Sequence, residues 1–411
     1  MLLVHKFQFK SNKVTSIILS SLTYASARLF NVGNYERHEY EKLGFDKMPD
    51  WYDQKKRLKE NMWFKSLPSQ TAQDVLQRVD EGWKSYFKLL KTKGINNPKP
   101  PFYKPKGSHY NIKYLNNSFK LFNNTIRFMI SKKEREYLKE KHNIDNNFFY
   151  ITLSKKLNNI KQIEIKYINE NKYDINVIYE AADIEIKESN ERYISIDMGV
   201  CNLATIYDNK GYSFIISGGA YQNTLYYYNK KIAHYKSILD LQRKTTKCSS
   251  SKRLKGLYEK KKRVITYILH KSTKMIVDYC INNDITRVII GDITNIRKDN
   301  DKGHKNNQKL HSLPFFDFYK KLEYKLKLKG ILLIYENEAY TSSCPIDSND
   351  ISKEYQEKNR VKRGLFKQNN NIYNADSVGA YNIMRKYKIR NKINIPMINK
   401  GLSNPKKYVS V

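Results

Sequence analysis

Four carboxylate residues lie at positions where their side chains could take part in a reaction. Asp197 ends the apolar run RYISID, and Asp292 ends a second apolar run, RVIIGD. Glu338 follows LLIYEN, and Asp376 opens the segment NADSVGAYNIMRK. A buried carboxylate is costly unless it is paired or binds a metal ion. A carboxylate at the end of an apolar strand is therefore a candidate metal ligand.

The chemistry open to such a group is hydrolysis of a phosphodiester. The reaction requires an activated water and a stabilised leaving oxygen, and two Mg²⁺ ions roughly 3.5–4 Å apart supply both. Carboxylate oxygens are the ligands that Mg²⁺ prefers. The alternative is that a single aspartate after a strand caps a turn. That alternative is favoured for Asp292 taken alone, and metal binding is favoured for Asp197.

The elements around these residues have the order of an RNase H-like domain. YISID, LATIYD and YSFIISGG predict three antiparallel strands, with a DNKG turn before the third. Helices, the strand RVIIGD, an amphipathic helix over 315–327 and the strand GILLIYENE follow. Helical crossovers make YISID, RVIIGD and LLIYENE parallel. Their carboxyl ends then share one sheet edge, where open α/β sheets place their sites.

The N-terminal half predicts helices and a small β unit. KFQFK is typical of a short strand, and apolar residues recur at helical spacing over 14–32 and again after LPSQ. SFKLFNNTIRFMI and QIEIKYINENKYDINVIYEA each predict a hairpin. We expect these strands to close into a β-barrel, since closure removes exposed edges. If the first strand belongs to the barrel, the helical segment is an insertion in it.

The charge of the chain indicates its partners. Among 411 residues, 76 Lys and Arg face 40 Asp and Glu, a net charge of +36. This favours a polyanion, most commonly nucleic acid. A membrane is the alternative, but no apolar run approaches the ~20 residues of a spanning helix and no signal-peptide core is present. We therefore expect a soluble intracellular protein with no membrane partner.

Basic segments predict where nucleic acid binds. Residues 221–280 carry 15 Lys and Arg against three acids, with aromatic residues interleaved. The alternative is an ordinary solvated helix face. YKPKGSHYNIKY is a second basic and aromatic stretch, otherwise a surface loop. We expect contacts to phosphates from Lys104, Lys106, Lys230, Lys231, Lys252, Arg253, Lys260, Lys261, Lys262 and Arg263.

The chain resembles the TnpB family, the compact RNA-guided nucleases of insertion-sequence transposons, which are related to type V CRISPR nucleases. The segments that carry the resemblance follow the family order along most of the chain. They are LPSQTAQDVLQRVDEGWKSYFKLL, PPFYKPKG, SIDMGVCNLATIYDNKG, VIIGDITNIR, NQKLHSLPFFDFYKKLEYKLKLKGI, ENEAYTSSCP, RVKRGLF and NADSVGAYNIMRK.

The resemblance implies a domain organisation. It comprises a wedge β-barrel with its first strand at 1–10 and the remainder at 98–190, an inserted helical recognition domain at 11–97, and a RuvC-like nuclease domain at 191–411. It also implies a guide RNA made from the transposon end, and cleavage of double-stranded target DNA beside a short target-adjacent motif. Such a protein acts in the cytoplasm, at the bacterial nucleoid.

Two departures from the family pattern matter. The glutamate that usually precedes the aspartate of the second motif is replaced by Gly291. Some relatives carry that glutamate in the motif that corresponds to ENEAYTSS. We therefore assign Asp197, Glu338 and Asp376 as catalytic ligands of two Mg²⁺ ions, with Asp292 as the runner-up. Of the family's four-cysteine zinc finger only Cys344 remains, in a degenerate insertion at about 344–370. One ligand cannot hold zinc, so we expect a zinc-free loop.

Three functions remain open at this stage. The first is an RNA-guided DNA endonuclease, which is favoured because Asp197, Glu338 and Asp376 are all present. The second is a nuclease-dead, RNA-guided DNA-binding repressor, which Gly291 keeps open. The third is a DNA transposase that joins strands with the same acids.

Overall fold

The computed structural model describes residues 1–92, 95–199, 201–246, 250–293, 314–362 and 364–409. The chain divides into two compact units, Met1–Ala182 and Asp183–Val411. The finer domain boundaries given above remain predictions. No described helix has the length and apolar character that crossing a membrane requires.

Among its described residues the first unit contains five α-helices and seven strands. The helices are α1 (Lys13–His38), α2 (Trp51–Arg57), α3 (Met62–Lys65), α4 (Ser69–Thr92) and α5 (Lys132–His142). The strands are β1 (Leu2–Lys10), β2 (Ile112–Leu115), β3 (Phe119–Phe122), β4 (Thr125–Met129), β5 (Phe148–Thr152), β6 (Ile160–Asn169) and β7 (Lys172–Glu180). Both predicted hairpins are confirmed as β3–β4 and β6–β7.

The strands of this unit do not close into the predicted barrel. In the described residues they form a four-stranded sheet of order β1-β7-β6-β2 and a separate three-stranded sheet of order β3-β4-β5. A 3₁₀ turn at Asn116–Ser118 lies between β2 and β3 and carries the chain from one sheet to the other. Both sheets contribute to one hydrophobic core, which they share with the helices. Burial of apolar side chains is thus achieved without a closed ladder. β1 pairs antiparallel with β7, and α1–α4 lie between β1 and β2 in the chain.

An ionisable side chain, Glu134, is buried in the core of the first unit. It lies in the first turn of α5, after the N-cap Ser131, and is 2% exposed. Among the described residues its Oε1 atom has no hydrogen-bond partner. Burial raises the pKa of the Glu134 carboxyl to about 7, although a hydrogen bond with the Ser21 hydroxyl lowers it in part. The protonated form is therefore the one that the folded state favours.

We expect Glu134→Gln to stabilise the protein at pH 8 and to change little at pH 5. The pKa rises from 4.5 in the unfolded chain to about 7 on folding, so the folded state holds the extra proton and wild-type stability falls as pH rises through that range. At 1.36 kcal/mol per pKa unit the gain is roughly 3 kcal/mol. Urea unfolding of both proteins across this pH range measures it.

The matched control is Glu136→Gln on the same helix. Glu136 is exposed and forms an ion pair with Lys133 at 3.5 Å. Its loss should change stability by well under 1 kcal/mol at either pH. A Glu134→Gln variant that is less stable than wild type at pH 8 would contradict the expected effect of the buried carboxyl.

The second unit contains a six-stranded sheet, a short hairpin and four long helices among its described residues. The strands are β8 (Tyr193–Asp197), β9 (Asn202–Asp208), β10 (Tyr212–Ser217), β11 (Arg287–Asp292), β12 (Leu332–Asn337), β13 (Leu365–Gln368), β14 (Asn371–Asn374) and β15 (Lys406–Val409). The helices are α6 (Gly219–Thr246), α7 (Lys252–Asn282), α8 (Phe315–Lys327) and α9 (Ala375–Asn391).

The sheet has the predicted RNase H-like topology. Its order is β12-β11-β8-β9-β10-β15. β8, β9 and β10 are antiparallel, whereas β11 is parallel to β8 and β12 is parallel to β11. The predicted shared edge at the ends of β8, β11 and β12 is therefore confirmed. β15, which pairs parallel with β10, was not predicted.

Two hydrophobic cores cover the two faces of this sheet. On one face Ile196 and Ile290 pack in a core with Phe318 of α8 and side chains of α7. On the other face Tyr193 and Ile289 pack with Ile383 and other residues of α9. Successive side chains of a strand point to opposite faces. The face on which each carboxylate lies can therefore be read from its neighbours.

Candidate active site

Asp197 lies on the α9 face of the sheet, at the end of β8. Ser195, two residues earlier, donates a hydrogen bond from its hydroxyl to the carbonyl oxygen of Ala380 in α9 (2.6 Å). The carboxylate approaches the same helix, because a Cβ atom placed on Gly379 would lie 2.8 Å from Asp197 Oδ2. A glycine at 379 therefore leaves the space that this carboxylate fills.

The carboxylate of Glu338 lies over Gly291. A Cβ atom placed on Gly291 would lie 2.8 Å from Glu338 Oε2 and 3.1 Å from Cδ1 of Ile383. Gly291 follows Ile289 by two residues and so faces α9, as Asp197 does. The structure thus brings Glu338 into the space that a side chain at 291 would occupy.

Asp292 lies on the opposite face. It follows Ile290, which packs in the core of α7 and α8, by two residues, and its side chain is exposed. Burial raises the pKa of Tyr335, and the nearby Glu323 and Asp292 raise it further. The ring of Tyr335 lies 5.6 Å from that of Tyr319 in α8. Strand alternation thus places Asp292 on the α8 face, and it remains the runner-up to Glu338 as the second metal ligand.

Asp376 approaches from the first turn of α9. The side chain of Asn374 caps this helix by accepting hydrogen bonds from the backbone N–H groups of Asp376 and Ser377, both at 3.1 Å. Asp376 Oδ2 accepts a hydrogen bond from Asn202 Nδ2 (2.7 Å), and Asp376 Oδ1 lies 3.7 Å from Arg360 Nη2. Asn202 and Arg360 thus orient this carboxylate, and the sequence analysis predicted neither contact.

Sequence signals for these two partners did exist. Asn202 is the first residue of β9. This strand pairs with β8, the strand that Asp197 ends. Arg360 opens the segment RVKRGLF, one of the segments that carried the family resemblance. Neither signal indicates a contact with Asp376 by itself.

The three carboxylates on the α9 face interact electrostatically. Burial raises the pKa of Asp197 well above its ordinary value, and the nearby Glu338 and Asp376 raise it further, whereas Arg360 lowers it. Without a cation, repulsion and burial thus disfavour the ionised form of Asp197. A bound cation would reverse this preference.

The donor set of these three side chains suits Mg²⁺. Carboxylate oxygens are its preferred protein ligands. Among the residues that the structure describes, no group of three or more His, Cys, Asp or Glu side chains is placed closely enough to hold a metal ion.

We expect Gly379→Ala to lower the DNA cleavage predicted from the sequence, although alanine favours the helix. The added Cβ would displace the Asp197 carboxylate from which it lies 2.8 Å. A displacement of about 1 Å at a reacting centre can cost on the order of 10²-fold in rate. Guided DNA cleavage measures the loss.

The control is Gly256→Ala in α7, where no atom lies within 4 Å of the added Cβ. It should cleave normally and gain stability of up to about 1 kcal/mol from helix propensity. Equal activity of Gly379→Ala and Gly256→Ala would show that the position of Asp197 is not critical.

The segment around Cys344 is held by hydrogen bonds. Asn382 of α9 donates to the carbonyl oxygens of Thr341 (2.9 Å) and Cys344 (2.8 Å), and Arg385 donates to that of Pro345 (2.8 Å). Cys344 Sγ lies 3.4 Å from the carbonyl oxygen of Ser352. The prediction that the protein needs no zinc is untested. Cys201 is exposed and Cys280 is buried, whereas Cys248 lies outside the described residues.

The basic residues predicted to bind nucleic acid differ in exposure. Most of them are exposed: Lys106, Lys230, Lys231, Lys252, Arg253, Lys260, Lys262 and Arg263. Lys261 is half-buried, and its Nζ donates to Asn229 Oδ1 (2.6 Å). Lys104 is also half-buried, with its Nζ 4.2 Å from the ring centre of Phe30. Lys104 therefore supports the fold as well as the surface charge.

The α6–α7 pair carries its aromatic residues among these cations. Lys231 Nζ lies 4.5 Å from the ring centre of Tyr227, and the Arg253 guanidinium lies 4.2 Å from that of Tyr235. The interleaving seen in the sequence is thus present on the helix surface. Their contacts with nucleic acid remain a prediction.

Two family models match the chain in consecutive segments. OrfB_IS605, described as a probable transposase, matches residues 176–297 and includes Asp197 and Asp292. The model of the TNB domain of Cas12f1-like proteins matches residues 315–383 and includes Glu338 and Asp376. Together the two matches support the resemblance to the TnpB family. Parts of VIIGDITNIR and NQKLHSLPFFDFYKK fall on 294–313, outside the described residues.

A solved structure shows which fold this chain has. The chain is similar to Cas12f1 in a Cas12f1–sgRNA–target DNA complex, with a TM-score of 0.56 and 17% identity over 90% of this chain and 82% of that one. The mini-RNA-guided endonuclease CRISPR-Cas_phi3 aligns over 94% of this chain and 92% of its own, with 11% identity and a TM-score of 0.41. Of these two structures, only Cas12f1 is similar enough to show a shared fold. No curated protein matches in a sequence search.

Proposed function

We propose that this protein is an RNA-guided DNA endonuclease of transposon origin. It cuts double-stranded target DNA beside a short target-adjacent motif by metal-dependent phosphodiester hydrolysis. The observation that carries the proposal is the placement of Asp197, Glu338 and Asp376 on one face at one edge of the sheet, with Glu338 over Gly291.

Each carboxylate has its own task in the proposed site. Asp197, at the end of a central strand, is the ligand whose position the sheet determines. Glu338 replaces the side chain missing at 291, and Asp376 is oriented by Asn202 and Arg360. Two Mg²⁺ ions bound there would supply an activated water and neutralise charge on the leaving oxygen. The negative charge that disfavours the free site is what attracts the cations.

The proposed partners are a guide RNA from the transposon end and double-stranded DNA. Cas12f1, whose fold this chain shares, is seen with a single guide RNA and target DNA. The net charge of +36 suits a protein that holds two nucleic acids. The exposed cations of α6 and α7 would follow the phosphate backbone and read shape rather than sequence.

The repressor and the transposase make different predictions. A repressor needs no catalytic carboxylates, and the placement of Glu338 over Gly291 argues against a decayed site. A transposase would join DNA ends with the same acids, and the probable-transposase description of the matching family model keeps it as the second candidate.

The test is a DNA cleavage assay with the purified protein and Mg²⁺. Plasmid targets carry the guide-matched sequence beside a randomised flank, and the protein is supplied with matched guide RNA, scrambled guide RNA or none. The proposal requires cuts only with the matched guide, beside one enriched flanking motif. Guided binding without cutting would identify a repressor, and joined strands without RNA would identify a transposase.

A further inference from the structure

The three-stranded sheet β3–β5 has one face in the core and the other in solvent. Phe128 and Phe149 of the inner face stack in the core, with ring centres 4.8 Å apart. On the outer face, Phe122, Met129 and Tyr150 are each about half exposed, at 51%, 50% and 52%. By strand alternation the outer face consists of Lys120, Phe122, Thr125, Arg127, Met129, Phe148, Tyr150 and Thr152.

A cation is held among the aromatic rings of this face. The Arg127 guanidinium lies 4.3 Å from the ring centre of Phe148 and 5.1 Å from that of Phe122. In the strand register, Arg127 stands between Lys120 of β3 and Tyr150 of β5. The eight side chains of the outer face thus include two cations and three aromatic rings, and none of them is acidic.

This composition favours an anionic partner with flat apolar groups. An exposed apolar patch on a protein surface commonly marks an interface. Aromatic side chains on an open sheet stack with unpaired bases, and arginine adds a cation–π contribution. Lys120 and Arg127 complement the phosphate charge. A single-stranded nucleic acid satisfies the rings and the cations together, whereas an apolar protein surface would leave the cations unpaired.

Two hydroxyl groups on the same face favour RNA over DNA. Thr125 Oγ1 and Thr152 Oγ1 lie 3.3 Å apart at an exposed position. They follow Phe122 in the strand register, since Phe122 pairs with Thr125 and Thr125 pairs with Thr152. The ribose 2′-OH both donates and accepts hydrogen bonds, as a threonine hydroxyl does. A nucleotide stacked on Phe122 would bring its ribose within reach of this pair.

We propose that the outer face of β3–β5 binds an unpaired segment of RNA. Phe122 and Tyr150 stack with bases, Arg127 and Lys120 contact phosphates, and Thr125 and Thr152 contact the ribose. We take the guide RNA as the source of that segment, and only this identification rests on the proposed function.

The test is binding of a short fluorescein-labelled oligouridine RNA to the full-length protein, followed by anisotropy without DNA or metal. Phe122→Ala/Tyr150→Ala should weaken binding about tenfold or more, because base stacking contributes roughly 1–3 kcal/mol per base. The slope of log K against log[salt] should stay unchanged, because no cation is removed. Arg127→Gln should reduce the slope by about 0.7, the value for one phosphate of a single strand.

Two further comparisons make the test specific. Tyr212→Ala removes a ring that is 67% exposed in the second unit and should bind like wild type. Thr125→Val/Thr152→Val should lose the preference for oligouridine RNA over the DNA strand of the same length and sequence.

Three outcomes would overturn the proposal. They are wild-type affinity in the Phe122→Ala/Tyr150→Ala variant, equal affinity of wild type for the RNA and DNA strands, and a wild-type dimer that the double variant converts to monomer without RNA. Because the readout is RNA binding alone, its failure is distinct from a failure of guided cleavage.

Discussion

Asp197→Ala should abolish guided DNA cleavage and leave guide RNA binding intact. The substitution removes a proposed metal ligand at the end of β8 and no phosphate contact. Loss of the several kcal/mol of transition-state stabilisation that metal ions provide corresponds to roughly 10³-fold or more in rate. A single-turnover cleavage assay measures the rate, and anisotropy with labelled guide RNA measures binding.

The same substitution should also stabilise the protein in the absence of metal. Burial, Glu338 and Asp376 raise the pKa of Asp197, so its ionised form is disfavoured in the folded state near neutral pH. Removing the group removes that cost. A thermal melt in EDTA that shows lower stability for Asp197→Ala would contradict this account of the site, and undiminished cleavage would refute Asp197 as a ligand.

Glu338→Gln should eliminate cleavage, whereas Asp292→Asn should do far less harm. Glutamine keeps the size of the side chain and removes the charge that a Mg²⁺ ligand requires, so the expected loss is again roughly 10³-fold. Asp292 lies on the opposite face and is exposed. One gel that compares both variants with wild type, each loaded with guide RNA, decides between the two acids.

A third variant, Gly291→Ala, tests the space beneath Glu338. Its Cβ would lie 2.8 Å from Glu338 Oε2, so the carboxylate must shift and cleavage should fall. If Asp292→Asn is inactive while Glu338→Gln cuts normally, the assignment is reversed. If neither variant loses activity, the second metal ligand is another residue.

The edge of the sheet was predictable, because each parallel strand is an apolar run that ends near an acid. The face of the sheet on which each acid lies was harder to assign. Glu336 and Glu338 are both near the end of β12, and Glu336 is buried and pairs with Arg390 (3.0 Å). Only the placement of Glu338 over Gly291 separates the structural glutamate from the catalytic candidate.

Features that depend on distant contacts were not predictable. The alternation of β2–β7 predicted strands and hairpins, but it did not predict that the chain passes at Asn116–Ser118 from one sheet to a second, separate sheet. β15 is a short, exposed strand with two lysines, so its pairing with β10 has no apolar signal. Arg360 and Asn202 meet Asp376 through folding alone, since neither of them belongs to the helix that carries Asp376.

The most direct measurement is anomalous scattering from Mn²⁺ in crystals of the protein with guide RNA and an uncleavable phosphorothioate target. The account predicts two peaks, about 3.5–4 Å apart, with Asp197, Glu338 and Asp376 as their protein ligands. Peaks bound by Asp292 instead of Glu338, or no peak near Asp197, would contradict it.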